Sequence, residues 1–177
     1  MKALPVTLFA ALVAASALAA TAPAAPAEST AAKPTIVGVA AADKRFSTLV
    51  ALVKQAGLVK TLSAKGPYTV FAPTNAAFAK LKKTAPETYT AVTTDKALLT
   101  KVLTYHVLAK KVPSSAAIAA AMKGGSVPTV QGEKIKLSLK TGKLYLNGNS
   151  QVIVADVAAS NGVIHAVNTV LVPPSLR

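Results

Sequence analysis

Two imidazoles and six carboxylates set the limits of metal and acid–base chemistry in this chain: His106 and His165, with Glu28, Asp43, Glu87, Asp95, Glu133 and Asp156. No cysteine occurs among the 177 residues, which removes a thiolate nucleophile, a thiolate zinc site and any disulfide. A zinc site built from His and carboxylate needs at least three converging ligands. The sequence offers one close pair, Asp156 and His165, across a predicted turn. A serine nucleophile needs a neighbouring base; no Gly-x-Ser-x-Gly elbow is present, and Asn161-Gly162-Val163 does not supply one. Gly124-Gly125 follows a predicted helix instead of opening one, so it does not form a phosphate-cradling loop. The expectation is a protein without catalytic residues, metal or cofactor.

The elements around these residues follow from periodicity. Asp43 is placed to cap a helix in which Phe46, Leu49, Val50, Val53 and Ala56 recur at helical spacing, and Gly57 stops it. Leu58, Val59 and Leu62 suggest a further short turn. Tyr68 to Ala72 is β-branched and aromatic, a short buried strand ended by Pro73. Thr74 reads as the N-cap of a helix with Ala77, Phe78 and Leu81 inward. Thr84 to Thr94, with Pro86 and many Thr, reads as a loop with room for one helical turn. Asp95 caps a helix carrying Leu98, Leu99, Val102 and Leu103, which runs on into an extended Tyr105-His106-Val107-Leu108. Pro113, Ser114 and Ser115 open an Ala-rich helix with Ile118 and Met122.

From Ser126 the period becomes two. Ile135, Leu137 and Leu139 alternate with Lys134, Lys136, Ser138 and Lys140; Leu144 and Leu146 alternate with Lys143, Tyr145 and Asn147. Thr141-Gly142, Asn147-Gly148 and Asn161-Gly162 read as turns, the last two because both residue types tolerate positive φ. Val152 to Val154 reads as a buried strand, and Val163 to Val172 as an apolar strand pair. Helices first and antiparallel strands last make an α+β domain.

The chain opens like an exported protein. Lys2 precedes an uncharged apolar run, Leu4 to Leu18, and Ala17-Leu18-Ala19 offers small residues for cleavage after Ala19. The run falls short of the ~20 apolar residues a spanning helix needs. The expectation is a signal peptide at 1–19, an Ala/Pro-rich linker at 20–34 and one domain at 35–174, secreted or periplasmic and not integral to a membrane. Lys plus Arg number 20 against 6 Asp plus Glu; without Lys2 the balance is 19 − 6 = +13. Such a field attracts anionic partners. Only Arg45 and Arg177 among these cations are Arg, and there is no Trp. Specific nucleic-acid binding, which favours Arg forks and stacking aromatics, is therefore not expected. Solvating lysines and a polyanion-binding role remain the two readings.

Three segments stand in a recognisable order: Thr69-Val70-Phe71-Ala72-Pro73-Thr74-Asn75-Ala76-Ala77-Phe78, then Leu103-Thr104-Tyr105-His106-Val107, then Asn161 to Leu171. Together they resemble the first box, the Tyr-His motif and the second box of the fasciclin (FAS1, or beta-Ig-H3/fasciclin) domain family, here a single-domain secreted member of bacterial type. The resemblance covers essentially all of Thr35 to Pro174. It implies a FAS1-like fold, a helical N-terminal part packed on an antiparallel β-sheet wedge or sandwich, in which Phe71, Pro73, Thr74, Asn161, Gly162 and His165 serve structure. It associates Tyr105 and His106 with adhesion through integrins in animal members. There the second box is followed by an acidic residue; here Asn168 stands in that stretch. Two functions compete: a non-enzymatic adhesion or surface-association module binding a cell-envelope component, protein or polyanion, and a soluble carrier of an apolar small molecule such as a carotenoid or lipid, seated under the Ala-rich helix. For Tyr105-His106 the alternative to a contact site is a packed aromatic beside a His that ties neighbouring strands. A monomer is expected, since no heptad seam is visible.

Overall fold

The computed structural model describes residues 33–176. The expected signal peptide, and all of the expected linker before Lys33, lie outside them. Helix α1 (Ile36–Ala42) begins at Thr35, whose hydroxyl accepts from Gly38 N–H at 3.4 Å. Asp43 caps not the long helix but a single 3-10 turn, Lys44–Phe46. Helix α2 (Ser47–Ala56) follows and buries Leu49, Leu52, Val53 and Ala56; it stops at Gly57, which takes φ 74°. Helix α3 (Val59–Ser63) leads to strand β1 (Tyr68–Pro73), and Thr74 caps α4 (Asn75–Thr84), as its sequence predicts.

The Thr-rich stretch expected to be a loop is helix α5 (Pro86–Thr94). Pro86 sits in the first turn, where its missing N–H costs nothing. Thr90 and Thr93 return their hydroxyls to the carbonyls of Pro86 and Tyr89 at 2.9 Å each, and Val92 is buried. The hydroxyls that mark a loop in sequence are thus consumed inside the helix. Helix α6 (Lys96–Tyr105), capped by Asp95 through Ala97 and Leu98 N–H, ends at the Tyr-His pair.

The sheet is built from β1, β2 (Val107–Leu108), β3 (Ser126–Pro128), β4 (Lys134–Lys140), β5 (Lys143–Leu146), β6 (Ser150–Ala159) and β7 (Gly162–Val167). Its order is β2-β1-β7-β6-β5-β4-β3. Every pair is antiparallel except β1 with β7, which runs parallel from Tyr68 opposite Gly162 to Pro73 opposite Val167. Beyond β3, Val130 N–H donates to Val107 O of β2 at 2.8 Å and nearly closes the sheet into a wedge. Helix α7 (Ser114–Met122) joins β2 to β3.

Two sequence expectations about the last strands differ from the structure. Val152 to Val154 is not buried: Ile153 is 46% exposed. Register irregularities between Val152, Val154 and Val157 break the alternation that would hide it. Of Val163 to Val172, only the part within β7 is strand; the remainder is irregular chain, half-buried at Asn168 and Thr169 and buried from Val170 to Val172.

Alternation along β1 and β7 sends side chains into two separate cores. Val70, Ala72, Ile164 and Ala166 join the helices α1, α2, α4 and α6 in one. Phe71 and Val167 join Tyr105, Ile135, Leu137, Leu144, Leu146 and the Ala face of α7 in the other. Burying Phe71 or Leu146 contributes roughly 1.5–3 kcal/mol each. The β1–β7 pair is therefore the partition between the two cores and part of both.

Candidate functional site

Tyr105 and His106 are not extended. Tyr105 closes α6 and His106 is its C-cap, at φ −81° and ψ −5°. Both face inward, at 0% and 2% exposure. The Tyr105 hydroxyl accepts from Asn147 Nδ2 at 2.8 Å and donates to Lys134 O at 3.3 Å, so it ties the helical layer to β4 and the β5–β6 turn. His106 Nδ1 lies 2.7 Å from Val102 O, and Nε2 accepts from Leu171 N–H at 2.9 Å. A carbonyl only accepts, so Nδ1 carries the proton and the ring is neutral. Burial lowers its pKa to about 4, against the Val102 hydrogen bond, which raises it.

His165 is the mirror case. Its Nε2 donates to Val112 O at 2.8 Å and its Nδ1 accepts from Asp156 N–H at 3.2 Å. The ring stacks on Phe71, centroid to centroid 5.6 Å. Asp156, at φ 57° in the irregular part of β6, turns its carboxylate to the start of α7. One oxygen accepts from Ser114 N–H at 2.8 Å and the other from the Ser114 hydroxyl. The Ser114 hydroxyl bond, against a burial cost, holds the Asp156 carboxyl below its usual range, helped by Ser114 N–H. Serine, carboxylate and histidine thus come together without forming a relay. The serine is bonded to the carboxylate, and both imidazole nitrogens are held by backbone. Among the described residues no group of three or more His, Asp or Glu is placed to hold a metal.

The first box works as a junction. Phe71 is fully buried, Pro73 ends β1, and Thr74 Oγ1 accepts from Ala77 N–H at 3.4 Å. Asn75, a member of the first box with no role evident from sequence, spans outward from the start of α4. Its Oδ1 accepts from Thr48 N–H at 3.1 Å, and its Nδ2 donates to Lys44 O and Ser47 Oγ. Helix α2 lacks a cap from its own N-cap residue; Asn75 provides it from a distance. Thr69, the first residue of that box and equally without a role evident from sequence, donates to Lys110 O at 2.6 Å and accepts from Val112 N–H at 2.8 Å.

In the second box, Asn161 and Gly162 are required for a reason other than the one expected. Neither takes positive φ. Asn161 Oδ1 accepts from Ile36 N–H at 2.9 Å, and its Nδ2 donates to Leu62 O and Ala64 O at 2.7 and 2.9 Å. A Cβ on Gly162 would lie 2.0 Å from Tyr68 O, so glycine here permits the close parallel approach of β1. Asn168 is half-buried; its Oδ1 accepts from Gln151 N–H at 3.0 Å and from the Thr169 hydroxyl.

Sequence comparison places these junctions in a known group. A model of the fasciclin domain matches residues 44–173. The chain belongs to the fasciclin domain family. This fasciclin domain is 49% identical over 140 residues to protein sll1483 of Synechocystis sp., covering 79% of this chain and 74% of that one. It is 38% identical over 141 residues to the transforming growth factor-beta-induced protein ig-h3 of the pig, covering 80% of this chain but only 20% of the pig protein. Its fold matches the FAS1 domain pair of the insect cell adhesion molecule fasciclin I at a TM-score of 0.69 and 18% identity, over 82% of this chain and 53% of that one.

Proposed function

We propose that this fasciclin domain is a non-enzymatic surface-association module, working outside the cytoplasmic membrane and holding an anionic envelope or extracellular component through its lysines. The observation that carries this reading is uncompensated charge. All lysines but Lys2 lie among the described residues. The one ion pair there joins Arg45 to Asp43, at 2.7 Å. The lysines therefore keep their field for a partner. The family's adhesion members lend support: the insect relative is a cell adhesion molecule by name. Among the described residues no helix is long and apolar enough to cross a membrane. On this reading Tyr105, His106 and Asn168 position the scaffold instead of touching the partner, since their polar atoms are engaged inside it.

The carrier reading lacks comparable support. Ala117 and Ala121 of α7 are buried against the sheet, while Met122 is 76% exposed. The apolar cavity beside His106, lined by Leu49, Val70 and Ile164 among others, holds about 30 Å³. Small-molecule sites run to ~300–1,000 Å³.

The test is retention on immobilised dextran sulfate and on phosphatidylglycerol vesicles across a salt series. Retention at low salt should weaken as the screening length falls from ~10 Å at 0.1 M to ~3 Å at 1 M. Retention no greater than that of a neutral protein of equal size would overturn the reading.

A further inference from the structure

The lysines are not spread evenly in the fold. Ile135, Leu137, Leu144 and Leu146 point into the second core, so alternation turns Lys134, Lys136 and Lys140 of β4 and Lys143 of β5 to the opposite face, where all four are exposed. Register sets Lys140 directly opposite Lys143 and Ser138 opposite Tyr145. At ~3.4 Å per residue the row from Lys134 to Lys140 is about 20 Å long.

This arrangement costs the free protein stability. Like charges directly opposite in a sheet repel, and no neighbouring acid relieves them. Glu133 has one carboxylate oxygen 3.4 Å from Gln131 Nε2, and its other oxygen is closed off from solvent. Lysines often guard edge strands against unwanted pairing, but Lys134 and Lys136 are themselves paired to β3, opposite Pro128 and Ser126, so that explanation does not cover the row. Lys140 Nζ donates to Gly148 O at 3.4 Å, but no countercharge meets the row, and a local rule broken in this way marks a functional surface.

We infer that the outer face of β4 and β5, along Lys134, Lys136, Lys140 and Lys143, is the docking surface for a linear anionic polysaccharide; this rests on the reading proposed above and gives it a place and a partner. A row of separated ammonium groups follows a chain of charges and does not converge on one small anion. Lysine acts as a point charge without the geometric demand of an Arg fork, which suits a polymer that can slide and rotate. Tyr145 lies on the same face, with Lys140 Nζ 5.6 Å from its ring centroid. A bilayer-binding face also needs apolar side chains to insert. Among the described residues the exposed large apolar side chains are Ile118 and Met122 of α7, Val130 between β3 and β4, and Ile153 of β6; none is on β4 or β5.

Two variants of equal charge test this: Lys134, Lys136, Lys140 and Lys143 all to Gln, and Lys54, Lys60, Lys96 and Lys101 all to Gln on the helical side. Each is measured on dextran sulfate, on polygalacturonate and on phosphatidylglycerol vesicles, with unfolding curves to verify the fold. The expected result is a tenfold or greater loss of polysaccharide affinity and a shallower salt dependence for the sheet variant, a loss under threefold for the helical variant, and unchanged or raised stability for the sheet variant. Equal losses in both variants would overturn the inference while leaving the proposed function standing. Binding of vesicles but not of polysaccharide would overturn the partner class. No low-salt binding by the unaltered protein would remove the proposed function itself, and this inference with it.

Discussion

At the scale of the residue, His106 is held neutral by its neighbours. Protonating it would put a second N–H against the Leu171 amide, which already donates there. The folded pKa of about 4 lies below the ordinary 6.5, so between those values the unfolded chain binds more protons. Stability is full above about pH 6.5, declines as pH falls toward 4, and loses nothing further from this group below that. The difference corresponds to about 3 kcal/mol. Denaturant unfolding at pH 7 and pH 4 should show a loss near that size in the natural chain and a clearly smaller one in His106→Gln, which cannot titrate. The sequence offers a hydrogen-bonded His and a packed Tyr as one alternative for this pair. It could not assign the ring proton, because the deciding acceptor and donor, Val102 O and Leu171 N–H, lie on opposite sides of the residue, one a helical turn away and the other 65 residues on.

Elements were legible where a pattern is local and hidden where a distant residue completes it. Helices α2, α4 and α6, the alternating β4 and β5, and the turns with positive φ at Thr141, Gly142, Asn147 and Gly148 all follow from neighbours in sequence. The start of α2 does not, since its free N–H at Thr48 is satisfied by Asn75 from the next layer. Asn75→Ala should cost about 1–2 kcal/mol, in the range of a lost cap, and fray the first turn of α2. Hydrogen exchange at Thr48 and the following amides reads this directly: protection should fall there while the amides of α6 keep theirs. Asn75→Asp retains the acceptor and loses the donor to Lys44 O, so its cost should fall between the two.

For the whole molecule, the least legible feature is the parallel pairing of β1 with β7, two strands that nothing in their own sequences brings together. β1 reads correctly as a buried strand, whereas β7, expected to keep one partly polar face, is buried on both; the pairing depends on Asn161 reaching Ile36, Leu62 and Ala64, and on Gly162 clearing Tyr68. Gly162→Ala forces a Cβ into that backbone and should cost about 4 kcal/mol or more. Because β1 and β7 belong to both cores, the loss should appear as one transition in probes of either core, with no stage in which only one has melted. Calorimetry together with tyrosine fluorescence checks this; two separated transitions would count against a shared partition. The position of β7 has a consequence for the order of events in making the protein. Its strand lies at the centre of the sheet but is the last of the seven in chain order, so a polypeptide emerging from a ribosome cannot finish either core until Gly162 to Val167 has passed through. Topology alone thus makes the last strand to be synthesised the one that both cores wait for.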